Sequence, residues 1–109
     1  MDHEEEAVRS RKLGSTGLEV SELCLGCWPL ASDLNWGEQD ERSSIAAVHA
    51  ALDAGINFFD NAEMYTSGQA EIVLGKALKG RRDKAVVATK VHRTPMTAEL
   101  VKSACEASL

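Results

Sequence analysis

Residues 55–78 read GINFFDNAEMYTSGQAEIVLGKAL, and residues 86–91 read VVATKV. Ile56 to Asp60 is a compact apolar run of strand length that ends on an acid. After a polar loop, Ala70, Val73, Leu74, Ala77 and Leu78 fall at i, i+3, i+4, i+7 and i+8, the spacing of a helix with one apolar face, and Gly80 supplies a stop. Ala85 to Val91 is rich in small and β-branched residues and reads as a second strand. A strand, a helix and another strand in this order predict a parallel pair with the helix covering it.

The same alternation extends outward. Asp40 stands where it can cap a helix running to about Ala54, with Ile45, Val48 and Leu52 at helical spacing and Gly55 as terminator. Ser21 to Trp28 holds the apolar run LCLGCW and reads as the first parallel strand, ended by Pro29. Arg11 to Val20 reads as a hairpin turning at Gly14, Ser15, Thr16 and Gly17. Downstream, Thr97 caps a further helix with Leu100, Val101, Ala104 and Cys105 on one side. Gly75, inside the middle helix, predicts close packing against a neighbour, since a helical glycine costs about 1 kcal/mol relative to alanine. The fold class is α/β, with an amino-terminal β-hairpin and about three βα units.

Composition bounds the function. The 109 residues are 44% hydrophobic and 27% charged, as expected of one globular domain. Twelve basic against seventeen acidic residues give a net charge of -5, and Asp2, Glu4, Glu5 and Glu6 gather at the start. No basic footprint for nucleic acid is present. The start lacks the pattern of a secretory signal, and no apolar run reaches the roughly 18 residues that span a membrane, so a cytoplasmic protein is expected. Three cysteines in such a chain point to reduced thiols. Cys24 and Cys27 form a CxxC string, but on a strand they would face opposite sides, and no second ligand pair follows, so no metal is expected. Residues 1–10 read as an acidic flexible tail and 11–109 as the domain.

The stretches 55–78 and 86–91, with LGCW at 25–28 and RKLGSTGLEVS at 11–21, resemble the aldo-keto reductase family in motif and in order. The resemblance implies a (β/α)8 TIM barrel, NADPH as cofactor, and reversible reduction of a small carbonyl substrate, an aldehyde or ketone, to an alcohol. It implies Tyr65 as proton donor, Lys90 as the cation that lowers its pKa, and Asp60 as the carboxylate paired with that lysine. Gly26, Cys27 and Trp28 are implied, with Asp60, as residues bordering the cofactor or substrate, and Trp36 as a weaker pocket residue.

The residue types suit those roles. A free phenol titrates near about 10 and needs a nearby positive charge to exchange protons around neutrality. A lysine taken from water needs a carboxylate to stay charged. All three lie at or just past strand ends, where barrel sites are built. Taken singly, Asp60 could cap a turn, Tyr65 could be a half-buried aromatic and Lys90 a surface strand end; Trp28 could be a core or rim aromatic, and Glu71 suits the positive end of its helix, although the family motif would also permit a link to the active-site region.

Two positions depart from the family pattern: Thr66 stands where glycine is usual after the tyrosine, and Asn61 where threonine is more frequent. The family's site histidine follows a fourth strand and would lie beyond Leu109, so the chain is expected to be the amino-terminal part of a longer barrel of about 250 residues. His92, two residues past Lys90, is a weaker substitute for that histidine; His49 reads as a packing or surface residue and His3 as part of the tail. A non-catalytic fragment that docks on a reductase-like partner through open sheet edges is the alternative function. Oligomeric state is left open.

Overall fold

A computed structural model describes residues 8–31, 40–91 and 97–109. The chain begins with β1 (Ser10–Lys12) and β2 (Glu19–Ser21), an antiparallel hairpin pairing Ser10 with Ser21 and Lys12 with Glu19. Gly14 and Gly17 take positive φ in its turn, as the sequence requires. Ordered pairing thus starts at Ser10, at the end of the stretch read as a tail, whose residues 1–7 lie outside the described residues. The hairpin is fastened to the sheet by Asn57: its side-chain oxygen accepts from the Ser21 N–H (2.7 Å) and its side-chain nitrogen donates to the Glu19 carbonyl (2.9 Å).

The main sheet comprises β3 (Cys24–Gly26), β4 (Phe58–Asp60) and β5 (Val86–Ala88), all parallel and in the order β3-β4-β5. Helices α1 (Glu41–Asp53) and α2 (Gln69–Ala77) make the crossovers. Asp40 caps α1 as expected, its side chain accepting from the Arg42 N–H at 3.2 Å, and Gly55 leaves the helix at φ 96°. Alternation along the strands separates two faces. Leu25, Phe59 and Val87 point toward the helices and join Val48, Val73 and Leu74 in the core, where Phe59 and Val48 are completely buried. Gly26, Asp60 and Ala88 lie side by side in register on the opposite face, at the carboxyl end of the sheet. His49 bridges the helices, its Nε2 lying 2.8 Å from the Ala77 carbonyl at the end of α2.

Each strand is shorter than its apolar run. Ile56 N–H returns to the Ala51 carbonyl of α1, and Asn57 N–H goes to the Ser21 hydroxyl, so β4 starts only at Phe58. Cys27 leaves the extended region (φ -99°, ψ -3°) and precedes a single 3-10 turn over Trp28–Leu30. Ala85 N–H is held by the Arg82 carbonyl, which delays β5 by one residue. Helix α3 (Ala98–Ser108) is capped by the Thr97 hydroxyl, which accepts from the Leu100 N–H at 3.2 Å. None of its residues is buried, and Leu100 and Val101 remain exposed.

The sequence expectation for Gly75 is not met. A β-carbon built there meets nothing within 4 Å, so the glycine makes no close approach among the described residues. Gly75→Ala is therefore expected to stabilise the chain by about 1 kcal/mol through helix propensity alone. A rise in the urea midpoint at unchanged denaturant slope is the expected result; a fall would show that α2 is more tightly covered than this packing indicates.

Candidate active site

The row Gly26, Asp60, Ala88 is extended beyond the ladder by main-chain bonds between the loop after β4 and the segment after β5. Asn61 N–H donates to the Ala88 carbonyl (2.8 Å) and Glu63 N–H to the Lys90 carbonyl (3.0 Å). On the other side of β4, Cys27 N–H donates to the Asp60 carbonyl at 2.9 Å. These bonds bring the three residues expected from the sequence together. Lys90 Nζ lies 2.6 Å from Asp60 Oδ1 and 5.2 Å from the centre of the Tyr65 ring. Trp28 stacks on Tyr65 with centroids 5.1 Å apart and planes 2° from parallel.

Hydrogen bonding to Asp60 is the largest influence on Lys90 and raises its pKa above the ordinary 10.5; partial burial works against this, and hydrogen bonding to Tyr65 adds to it. The lysine is thus held as an ammonium between a carboxylate and a phenol. Its side chain is 51% exposed and that of Asp60 is 48% exposed. Pairs so open to water contribute about 0–1 kcal/mol to stability, so the pair is poorly explained as a prop for the fold. It fits a site that fixes charge next to a titratable hydroxyl.

Tyr65 is delivered by a tight turn over Tyr65–Gly68. Thr66 and Ser67 both adopt left-handed backbone (φ 52°), followed by Gly68 at φ 90°. The position read as a departure from glycine is thus one where glycine would be unstrained and a β-branched residue is not. Asn61, the second departure, is 1% exposed and structural: its Nδ2 donates to the Ala70 carbonyl (3.1 Å) and its Oδ1 accepts from Ala62 N–H (2.9 Å). It ties the loop to the start of α2.

Cys27, expected beside the cofactor, turns its side chain into the core. Its side chain is fully buried in the core, its N–H is used by Asp60, and its carbonyl accepts from Leu30 N–H. Burial pushes its thiol up to about 12, which makes it inert at neutral pH. Burial also raises the Cys24 thiol, with the Asp60 charge adding to the effect, and both cysteines are free. Gly26, by contrast, is exposed and has open space where a β-carbon would lie. Glu71 lies in the first turn of α2, as expected, and makes side-chain contacts as well: its Oε2 accepts from the Thr89 hydroxyl at 2.6 Å and its Oε1 from the Ser108 hydroxyl at 3.0 Å. Trp36, His92 and His3 lie outside the described residues.

The sequence profile described as "Aldo/keto reductase family" matches residues 22–109. The chain belongs to the aldo/keto reductase family. The Bacillus subtilis aldo-keto reductase YhdN is 44% identical over 80 residues, covering 72% of this chain and 24% of that protein. A rice protein named "Probable voltage-gated potassium channel subunit beta" is 42% identical over 88 residues, covering 77% and 25%. Among solved structures, the holo form of an aldo-keto reductase from Bacillus halodurans superposes with a TM-score of 0.79 at 34% identity, covering 94% of this chain and 35% of that one. One from Klebsiella pneumoniae in complex with NADPH gives 0.73 at 34% identity, covering 84% and 31%. The aldo-keto reductase fold is a TIM barrel, and this chain forms an arc of it: a hairpin followed by βα units. It spans about a quarter of the length of the curated relatives it matches.

The direction of the Lys90 shift gives a pH prediction. A raised folded pKa means that the ion pair's stabilisation is fully present below the unfolded value and is lost as pH rises through the folded one. The stability difference between the chain and its Lys90→Met variant should therefore stay level from neutrality to about pH 10 and shrink above the ordinary 10.5. Denaturant unfolding across pH measures it, and a difference that declines already near pH 8 would contradict the pairing.

Proposed function

We propose that this chain carries the proton-transfer part of an NADPH-dependent aldo-keto reductase that converts a small aldehyde or ketone to an alcohol. The observation that carries the reading is the Lys90 ammonium set 2.6 Å from Asp60 and beside the Tyr65 ring. In this reading Tyr65 gives its hydroxyl proton to the carbonyl oxygen during reduction. Lys90 stabilises the phenolate that remains, and Asp60 keeps Lys90 charged when substrate closes the site to water. The stacked Trp28 restricts the phenol to one plane, so the proton is presented in a fixed direction.

The residues at the strand ends fit a flat, uncharged ring. Gly26 leaves its approach open, the Trp28 and Tyr65 rings form an aromatic wall, and Asp60 borders the same row. Gly26, Trp28 and Asp60 would flank the nicotinamide end of the cofactor. When bound, NADPH supplies the hydride. The complex of the Klebsiella pneumoniae aldo-keto reductase with NADPH supports this choice.

A second reading, a non-catalytic interaction module, is favoured by the unpaired outer edges of β3 and β5 among the described residues and by the channel-subunit name of the rice relative.

The reductase reading is tested by joining the chain to the remaining strands of a family barrel and following carbonyl-dependent NADPH oxidation. Turnover is expected, and Tyr65→Phe should lower it by about 10²–10⁴-fold with cofactor binding retained. A folded protein whose turnover is unaffected by Tyr65→Phe would refute the assignment. Binding of protein partners without any turnover would favour the interaction module.

A further inference from the structure

Glu71 reads from the sequence first as a helix-end residue and second as a link to the site, and its carboxylate reaches the residue immediately before Lys90. Strand alternation explains why that contact has leverage. Val87 and Thr89 point to the helix side, while Ala88 and Lys90 point to the face carrying Asp60. A bond that holds the Thr89 hydroxyl on α2 therefore sets the rotation of the chain at Lys90 as well. The segment has left the β5 ladder by this point, and its main chain is tied down through the Lys90 carbonyl, which accepts from the Glu63 N–H. At Thr89 helix α2 grips it through a side chain, the hydroxyl lying 2.6 Å from Glu71 Oε2.

The grip also connects the two halves of the site. Glu71 lies in the first turn of α2, and Ala70 beside it holds Asn61 of the loop between Asp60 and Tyr65. The start of α2 thus touches both the loop that carries Tyr65 and the segment that carries Lys90. We propose that Glu71, acting through the Thr89 hydroxyl, is a positioning residue that aims the Lys90 ammonium at Asp60 and Tyr65. The inference rests on the reading of Lys90 given under the proposed function, and adds to it how the lysine is held. Glu71 touches neither reacting group; it orients one that does.

The test is the titration of Lys90 in the full chain, followed by NMR with lysine labelled at Cε. Asp60, Tyr65, Cys24 and Cys27 are the titratable groups that act on Lys90 or are acted on by it, and all stay in place in the Glu71 and Thr89 variants. Thr89→Val removes the hydroxyl with little change of shape and Glu71→Ala removes its acceptor. Both are expected to lower the Lys90 midpoint by on the order of half a pH unit, while Thr89→Ser and Glu71→Gln, which keep a donor or an acceptor, restore it. A folded Thr89→Val chain whose Lys90 titrates as in the parent overturns the proposal, even if Glu71→Ala fails to fold. Asp60→Asn separates the two layers of the account. If it lowers the midpoint and Thr89→Val does not, only the positioning role is lost; if it too leaves the midpoint unchanged, the ion-pair reading itself is wrong.

Discussion

Two main-chain hydrogen bonds, from Asn61 to Ala88 and from Glu63 to Lys90, continue the pairing of β4 and β5 past the point where the ladder ends. Without them Asp60 would finish its strand facing open space and Lys90 would sit on a free tail. With them, the polar loop between β4 and α2 lies along the segment after β5, and a carboxylate, an ammonium and a phenol meet. The bonds require neither a long sheet nor a filled barrel. They need only that Phe59 be anchored against α1 and α2, which sets the height of β4 and hence of everything at its carboxyl end.

The energetics separate support from chemistry. Phe59, Val48 and Leu74 are buried to within a few per cent, and removing a side chain of the first kind typically costs about 3–5 kcal/mol. The Asp60–Lys90 pair is about half exposed and adds little to folding. Strain, too, is concentrated beside the candidate site: Thr66 and Ser67 hold left-handed backbone immediately after Tyr65. A core that carries such a loop is consistent with a family whose barrels vary their loops over a common frame.

Much of this was legible in the sequence, and the failures have physical reasons. The helices were readable because their period and their caps, Asp40, Thr97, Gly55 and Gly80, are local features. The strands were overestimated because an apolar run records burial, whereas a ladder records where three chains overlap in register. The trio Asp60, Tyr65 and Lys90 was readable because its motifs are distinctive. Gly75 was misread because its surroundings are fixed by distant contacts, and the partners of Glu71 were out of reach for the same reason. For Glu71 a signal did exist, since alternation from Lys90 turns Thr89 toward the helix layer; it carries meaning only once α2 is known to lie there.

The central claim is that the site's frame is already assembled within this arc of barrel, through the two bonds that close the loop after β4. Amide hydrogen exchange reads them directly. The account predicts that the Asn61 and Glu63 amides exchange slowly, together with the ladder amides of β4 and β5, although they belong to a loop. Exchange of both at open-chain rates, while those ladder amides remain protected, would mean that the loop is unfastened and that Asp60, Tyr65 and Lys90 are not held together by this chain.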